Sequence, residues 1–234
     1  MTLRIGVHPV LEALRARRPL SRVVVARGAS SRRLQEIIDL CRQLSIPVRL
    51  ESREALDRLS GTLAHQGVIA VGAAQGYCEL DDLLARSPLL VLLDGIEDPH
   101  NLGAIIRTAH AAGAGGVVVP ERRAAPLTEA VAKAAAGALE YLPVARVGNL
   151  SRALERLKQR GYWIYGLDER GEHSYDAIDY AQPTAFVLGA EGRGLHEQVR
   201  KHCDFLVRIP LAGKISSLNV SVAAGIVLFE WKRR

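Results

Sequence analysis

The sequence predicts an α/β protein built from two structural units, and three observations support this fold class. The 234 residues are enough for a small unit and a medium one. Short apolar runs typical of strands alternate with amphipathic helical segments along most of the chain. The run LLVLLD at residues 89–94 is apolar throughout, which indicates a parallel strand with helices over both faces. From the residues alone we therefore expect an ordinary doubly wound sheet in the second unit.

The first unit is placed at residues 1–73, where helices alternate with strands. Its helices are expected at residues 9–17, 31–44 and 53–59, and its strands at 21–26, 47–50 and 67–73. Ser30 or Ser31 is expected to cap the second helix. Residues 74–88 break the alternation and contain Gly76 and Pro88, so they are predicted to form a linker with one short helix.

The second unit is placed at residues 89–234. Its strands are expected at residues 89–94, 116–120, 162–167, 184–189 and 204–210. Its helices are expected at residues 101–113, 127–135, 149–160, 195–202 and 217–232. This order of elements agrees with a parallel sheet whose crossover connections are helical.

The composition argues against several classes of protein. No apolar run approaches the length that crosses a bilayer, and no signal-like core follows the N-terminus, so we expect a cytoplasmic protein without a membrane partner. Cys41, Cys78 and Cys203 are isolated from one another and from clustered His. This favours small core residues over a disulfide framework or a metal site.

The excess positive charge lies entirely in the first unit. Residues 1–73 contain twelve Arg, no Lys and six acidic residues, whereas the rest of the chain contains nineteen charges of each sign. Arg stays charged and binds phosphate through two parallel hydrogen bonds. The excess favours a nucleic-acid partner, and the alternative is a solvated face of amphipathic helices.

Polar residues follow three of the predicted strands, at the edge where parallel sheets bind ligands. The first segment is GIEDPHNLGAIIRTAHAAG at residues 95–113, in which Asp98 or Asn101 can cap the helix. Small residues lie three or four positions from Arg107 on the helix, namely Gly103, Ala104 and Ala111. We interpret this helix face as a recess that a substrate backbone enters, and a simple exposed Arg is the alternative.

The second segment is LGAEGRGL at residues 188–195, with Gly189, Gly192 and Gly194 around Glu191. These glycines permit positive φ angles and close backbone approach, as a loop around a ligand requires. A tight turn without a ligand would have a similar sequence. The segment matches neither a dinucleotide fingerprint nor a Walker A motif, which disfavours NAD and ATP.

The third segment is IPLAGKISSLNVSVAAG at residues 209–225. Ser216 or Ser217 is expected to cap the helix that follows. Capping requires one such side chain, whereas this stretch also contains Lys214, Asn219 and Ser221. We therefore interpret the cluster as the rim of a pocket. The G-x-S-x-G signature of a hydrolase is absent from the sequence.

These three segments resemble the signature motifs of the SpoU (TrmH) family of RNA ribose 2′-O-methyltransferases, in the family's order and spacing. GVHPVLEALR at residues 6–15 and HQGVIAV at residues 65–71 are similar to the substrate-binding domain of a particular subgroup. That subgroup modifies a guanosine in the P loop of 23S ribosomal RNA. The resemblance covers nearly the whole chain.

The resemblance implies a C-terminal trefoil-knotted SPOUT methyltransferase domain with a small N-terminal α/β RNA-binding domain. It further implies S-adenosyl-L-methionine as cofactor, ribosomal RNA as partner and a homodimer. The family's polar positions fall on Asn101, Arg107, Glu191, Ser217 and Asn219. Its cofactor-holding backbone positions fall on Gly189, Ile209 and Leu218.

Methyl transfer from a sulfonium expels a neutral thioether, so the reaction requires neither a metal nor an acid for the leaving group. Arg107 is the family's candidate for handling the 2′-hydroxyl proton, but a guanidinium with a pKa near ~12.5 is a poor base. We therefore expect Arg107 to act with the substrate phosphate as an orienter and proton relay. Glu191, Asn101 and Ser217 would position Arg107 and the ribose.

Two other functions stay open at this point. One is 2′-O-methylation of transfer RNA, which the separate N-terminal unit disfavours. The other is a non-catalytic RNA-binding protein of ribosome assembly, which the intact motif residues disfavour. Residues 1–73 are predicted to contribute RNA affinity without cofactor binding, because all three motifs lie beyond residue 88.

Overall fold

A computed structural model describes residues 2–73, 76–84, 86–190, 192–214 and 217–234. The chain forms two compact units. Unit 1 contains Met1–Gly76 and the short segment Ala136–Tyr141, and unit 2 contains Tyr77–Ala135 and Leu142–Arg234. The segment 136–141 therefore belongs to unit 1, although it lies far from residues 1–76 in the sequence.

Unit 1 is a four-stranded sheet with helices on both faces. Its strands are β1 Thr2–Ile5, β2 Leu20–Ala26, β3 Val48–Glu51 and β4 Val68–Gly72, and its helices are α1 Val7–Arg15, α2 Arg32–Gln43 and α3 Arg53–Ser60. The strand order is β1-β4-β2-β3. Only the β2–β3 pair is parallel. The predicted helices and strands are confirmed, except that β1 is an additional strand.

The two faces of this sheet have separate cores. Val23, Val25, Val68 and Ala70 pack with α1 and α2 on one face. On the other face, Val24, Ala26 and Ile69 pack with Leu56 of α3. The alternation along β2 explains this division, because successive side chains of a strand point to opposite faces.

Unit 2 is a seven-stranded sheet in which every pairing is parallel. Its strands are β5 Leu89–Asp94, β6 Gly116–Pro120, β7 Val144–Val147, β8 Trp163–Leu167, β9 His173–Ser174, β10 Thr184–Gly189 and β11 Phe205–Arg208. Its helices are α4 Asp81–Leu84, α5 Pro99–Ala112, α6 Glu129–Ala135, α7 Leu150–Gln159, α8 Glu197–Lys201 and α9 Val220–Arg233. The strand order is β7-β6-β5-β10-β8-β11-β9.

The central strand β5 is buried along its whole length, as its continuous apolar sequence predicts. The sequence prediction lacks β7 and β9, which are short strands at the two edges of the sheet. The short helix expected between residues 74 and 88 is α4. The parallel α/β architecture is thus confirmed.

The first residues of α2, α5 and α9 show which side chain caps each helix. The Ser31 side chain accepts a hydrogen bond from Leu34 N at the start of α2, and Asp98 accepts one from His100 N at the start of α5. The prediction of Ser216 or Ser217 as the cap of α9 is wrong, because the helix begins at Val220 and Asn219 is its cap. The Asn219 Oδ1 atom accepts from Ser221 N while its Nδ2 donates to Asn101 of α5, so this longer side chain caps α9 and reaches a second helix.

The three cysteines are free. Burial raises the pKa of the Cys41 thiol to about 11 and that of the Cys203 thiol to about 12. Both thiols are therefore protonated at neutral pH and behave as small packing groups. Among the described residues, no helix combines the length and the apolar character needed to span a bilayer.

Unit 1 contains a buried ion pair that joins its two segments. Arg4 Nε of β1 donates a 3.0 Å hydrogen bond to Glu140 Oε1, and both side chains are more than nine-tenths buried. Arg18 Nε also donates to the Glu140 carbonyl oxygen at 3.0 Å. Glu140 lies in a 3₁₀ helix, Ala138–Glu140, whose residues are all buried.

We predict that Glu140→Gln destabilises unit 1 by about 3 kcal/mol, because it leaves the buried Arg4 guanidinium without a counter-charge. Hydrogen-exchange mass spectrometry in increasing urea measures the unfolding free energy of the β1 and β4 peptides separately from unit 2. Asp39→Asn is the control, since Asp39 pairs with Arg42 on the exposed surface of the same unit and should cost under about 1 kcal/mol. Equal losses in the two variants would contradict the prediction.

Candidate active site

The carboxyl ends of β8, β10 and β11 surround a cavity of about 360 Å³. We call it the motif cavity, because the second and third polar segments of the sequence both line it. Gly189, Ile209, Ser217 and Leu218 all lie in its wall. These four predicted site residues are therefore brought together, at the edge of the sheet where the sequence places them.

Gly189 occupies a position with no room for a side chain. A Cβ there would overlap the Gly194 carbonyl carbon and lie 2.5 Å from the Leu195 nitrogen. Ala190 and Gly194 exchange two backbone hydrogen bonds at this point, so the loop doubles back against its own start. The turn uses positive φ angles at Gly192 and Gly194, as predicted from the glycine spacing.

Asn101 and Asn219 meet at the starts of α5 and α9. Asn219 Nδ2 donates a 2.9 Å hydrogen bond to Oδ1 of the buried Asn101. The Oδ1 atom of Asn219 accepts from both the amide and the hydroxyl of Ser221. One amide side chain therefore caps α9 and ties it to α5, which fixes the segment that carries Ser217 and Leu218.

Of the three small residues expected to form a recess beside Arg107, Gly103 is covered by another helix. Gly103 is buried against α6, and a Cβ there would lie 2.5 Å from Ala134 Cβ and 2.7 Å from Val131 O. The small residue serves close helix packing, because α5 lies between α6 and α9. The spacing identified the helix face correctly but not the element that covers it.

Arg107 itself is exposed on α5 and does not line the motif cavity. None of the described residues accepts a hydrogen bond or forms an ion pair with its guanidinium. Asn101 lies six residues earlier, about 9 Å along the helix axis. Within one chain, Arg107 and the motif cavity are therefore separate features.

The mouth of the motif cavity carries charged side chains that the sequence analysis did not single out. Asp168, Arg170, Arg193 and Arg208 line it, together with Glu169. Arg170 Nε and Nη2 donate to the two oxygens of the buried Asp168 carboxylate at 2.9 and 3.0 Å. Hydrogen bonding from Arg170 lowers the pKa of Asp168, so this carboxylate is charged at neutral pH. Two predicted residues, Glu191 and Ser216, lie outside the described residues.

A second group of polar residues lies at the same edge of the sheet and was not predicted. His196 donates from its backbone N to Asp94 Oδ2 at 2.7 Å, and its ring Nδ1 lies 2.9 Å from Asp94 Oδ1. Arg123 Nη1 lies 2.5 Å from His196 Nε2. A signal was present in the sequence, because Asp94 is the one polar residue of an otherwise apolar strand.

Two family models match the chain on either side of residues 79–87. The model of the SpoU rRNA methylase family matches residues 88–229. The model described as RNA 2′-O ribose methyltransferase substrate binding matches residues 5–78. The chain therefore belongs to the SpoU rRNA methylase family, as the motifs predicted.

Individual relatives agree over nearly the full length. The chain is 44% identical to the putative TrmH family tRNA/rRNA methyltransferase YacO of Bacillus subtilis, over 98% of this chain and 94% of that protein. It is 45% identical to the 23S rRNA (guanosine-2′-O-)-methyltransferase RlmB of Pseudomonas aeruginosa, over 98% and 95%. The crystal structure of the SpoU methyltransferase AviRb from Streptomyces viridochromogenes, in complex with AdoMet, superposes with a TM-score of 0.84 at 29% identity, covering 99% of this chain and 89% of that one. The chain is an RNA 2′-O-ribose methyltransferase by class.

We predict that Gly189→Ala lowers the affinity for S-adenosylmethionine at least tenfold, because the added methyl group must push the 190–195 loop out of the cavity wall. Titration calorimetry measures the affinity, and a thermal melt checks the fold. Gly76→Ala is the matched control, since a Cβ at Gly76 meets nothing within 4 Å and its φ is not positive. Unchanged cofactor affinity in the Gly189 variant would argue against the motif cavity as the cofactor site.

Proposed function

We propose that this protein transfers a methyl group from S-adenosylmethionine to a ribose 2′-hydroxyl of ribosomal RNA, at a guanosine in the P loop of 23S rRNA. The observation that carries the proposal is the motif cavity, in which the second and third signature segments meet around Gly189. The 45% identity to an RlmB protein over 98% of the chain supports the ribosomal substrate.

The motif cavity fits the cofactor. Its volume of about 360 Å³ lies in the range of small-molecule sites. A cradle of backbone at Gly189, Ile209 and Leu218 offers amide and carbonyl groups rather than side chains, and a Cβ at Gly189 would displace the loop that forms part of its wall. S-adenosylmethionine supplies an activated methyl group on a sulfonium. The trefoil knot implied by the family remains a prediction, supported by the path of the chain from β11 back to pack α9 against α5.

The residues of this chain have three tasks in such a reaction. Asn219 and Asn101 fix the start of α9, so that Ser217 and Leu218 hold their places in the cavity wall. The cavity edge orients the ribose so that the 2′-hydroxyl lies in line with the methyl group. Arg107, with a phosphate of the substrate, orients the hydroxyl and gives one N–H proton to that phosphate as it takes up the hydroxyl proton, because a guanidinium alone is too weak a base. The proton then passes from the phosphate to water, and the thioether leaves without charge.

We propose a homodimer through α9, and the exposed surface of that helix supports this proposal. Val222 and Phe229 are 51% and 48% exposed and lie seven residues apart, with the half-buried Ile226 between them. This apolar stripe adjoins α5, because Gly225 faces Thr108. A second copy of the chain would cover the stripe and bring the unpaired Arg107 into the assembly. Light scattering on the full-length chain gives the oligomeric state.

The RNA surface of unit 1 is proposed to be the edge where β2 and β3 end. Arg27, Arg32, Arg33 and Arg53 are exposed there, and no described acidic group lies within ion-pair distance of them. We call these four residues the arginine edge. Three of them occupy the first turns of α2 and α3, where the helix dipole disfavours positive charge. An anion bound at this edge compensates that repulsion.

The experiment that tests the function maps 2′-O-methyl groups in total RNA with and without the gene. Loss of one site in 23S rRNA supports the proposal, and loss of a site in transfer RNA instead would establish the second candidate, which the name of the Bacillus subtilis relative keeps open. An unchanged map would leave an RNA-binding role in ribosome assembly. We place the protein in the cytoplasm, the compartment of that substrate.

We predict that Arg107→Ala lowers methyl transfer by about two to three orders of magnitude, the usual cost of losing one charged, preorganised contact. The thermal melt and the cofactor affinity should stay unchanged, because Arg107 is exposed and has no partner within the described chain. Arg107→Lys should not restore activity, since an ammonium cannot reproduce the two-pronged geometry. Single-turnover methylation of a 23S rRNA fragment is the measurement. Near-normal turnover in the Ala variant would refute the role, and a collapsed melt would make Arg107 structural.

We predict opposite effects on binding and stability when the arginine edge is neutralised. The triple variant Arg32→Gln, Arg33→Gln, Arg53→Gln should bind RNA more weakly and lose about 0.7 in log–log salt slope for each phosphate contact removed. Its unit 1 should become more stable, because each substitution removes a positive charge from a helix N-terminus. Arg42→Gln is the control, since Arg42 is paired with Asp39.

Equal RNA affinities in the triple variant and the Arg42 control would overturn the assignment of this edge. Substitution in the full-length chain is preferable to deletion of residues 1–73. Residues 136–141 pack within unit 1, so a deletion would expose the buried Leu139 and Glu140.

A further inference from the structure

A second cavity, of about 580 Å³, opens at the carboxyl ends of β5, β6 and β7. We call it the arginine cavity. Arg122, Arg123 and His196 line it, with Pro120, Leu150 and Val199 as apolar wall residues. Its volume lies in the range of sites that hold a small molecule or one residue of a polymer. The proposed methyl transfer assigns no role to any of these six residues.

Three polar side chains, joined by hydrogen bonds, form part of the wall of the arginine cavity. The buried carboxylate of Asp94 accepts from His196, both at the backbone N and at ring Nδ1, so both of its oxygens are engaged. Arginine can only donate, so the 2.5 Å contact with Arg123 Nη1 makes His196 Nε2 the acceptor. Asp94 thus fixes the ring of His196, and the ring in turn fixes the guanidinium of Arg123 at the cavity wall.

Among the described residues that face the arginine cavity, the Arg122 guanidinium is left without an acidic partner. Arg122 is exposed and has no acidic partner among the described residues. Glu197 also lines the cavity, but it lies 3.8 Å from Lys201 and 4.0 Å from Arg200 on its own helix. The Asp94 carboxylate offsets the charge of Arg123 through the His196 ring, and Glu121 approaches the cavity from beside Gly148. Arg122 therefore presents unneutralised donors to whatever enters, and Arg123 keeps guanidinium N–H groups beyond the one that His196 accepts.

The arginine cavity and the motif cavity lie at the ends of adjacent strands. Asp94 and Gly189 are register partners on the adjacent parallel strands β5 and β10, about 4.8 Å apart. The segment that begins at Gly189 lines the motif cavity, and His196 at its end lines the arginine cavity. A polymer whose ribose lies at the motif cavity reaches the arginine cavity within a few residues.

We propose that the arginine cavity binds a nucleotide of the RNA strand close to the methylated one, with its phosphodiester held by Arg122 and Arg123. The guanidinium fork matches phosphate oxygens through paired hydrogen bonds. The apolar wall leaves room for the attached sugar and base. This inference rests on the proposed function for the identity of the polymer, and it adds to unit 2 an RNA contact separate from the arginine edge of unit 1.

The test measures binding of a labelled single-stranded RNA oligonucleotide to the full-length protein over a range of salt concentrations. Arg122→Gln and Arg123→Gln should each weaken binding about tenfold. The double variant should lower the log–log salt slope by about 1.4, the value for two phosphate contacts on a single strand. Arg160→Gln is the control, because Arg160 is exposed at the opposite end of α7 and should change neither quantity.

Several outcomes separate this inference from its alternatives. Equal slopes in the double variant and the Arg160 control would overturn it. A thermal shift with inorganic phosphate that depends on Arg122 and Arg123, together with RNA binding that does not depend on them, would also overturn it, since the cavity would then be a small-anion site. Arg122→Gln leaves the Arg123–His196 contact in place, so a loss of affinity there cannot come from a rearranged wall.

Failure of the proposed function is visible in a separate measurement. If the wild-type protein binds RNA with the expected dependence on Arg122 and Arg123 but transfers no methyl group, the cavity assignment stands and the methylation proposal falls. If the wild-type protein binds no RNA, both fall.

Discussion

The close approach of the backbone at Gly189 to Gly194 is the constraint on which the catalytic unit depends. A parallel strand normally runs straight into its connecting helix, but here the chain folds back on itself directly after β10. That reversal places Gly192 and Gly194 in one cavity wall and sends His196 to another. Both cavities at this edge of the sheet therefore depend on a position where even one methyl group does not fit.

The two units differ in how their positively charged side chains are arranged. In unit 1 the exposed arginines at the ends of β2 and β3 lack acidic partners within the described part of the chain, whereas Arg4 is buried and paired with Glu140. In unit 2 the positive groups stand at the mouths of the two cavities and are partly balanced by Asp94 and Asp168. In the proposed function, an RNA strand encounters diffuse positive charge on one unit and individually positioned guanidinium groups on the other.

The sequence was sufficient for most of the fold, because long apolar runs such as that of β5 specify burial without reference to other residues. The short edge strands β7 and β9 carried too few residues for a pattern, and their pairing comes from the neighbouring strand. The cap of α9 was predicted at the wrong residue, because the actual cap, Asn219, is held by a hydrogen bond to Asn101, which lies 118 residues away in the sequence. Spacing placed Gly103 on the face of Arg107, but only the fold reveals that α6 covers Gly103.

The candidate site likewise contains residues that the sequence predicted and residues that it did not. Gly189, Ile209, Ser217 and Leu218 could be brought together from motif resemblance, because each motif follows a strand of one parallel sheet. The Asp94–His196–Arg123 chain joins three loops through side-chain geometry, which no local pattern encodes. The sequence therefore predicted the site residues that belong to a shared motif. It did not predict the residues that are brought together only by tertiary contacts.

The membership of residues 136–141 in unit 1 has a consequence for biosynthesis. The N-terminal residues leave the ribosome first, yet β1 cannot pair Arg4 with a counter-charge until Glu140 has been translated. Until then the nascent unit holds an unpaired buried cation, so its native packing waits until the first two strands of the catalytic sheet, β5 and β6, have been made. The two units of this enzyme thus mature together during translation, although each has its own sheet and its own core.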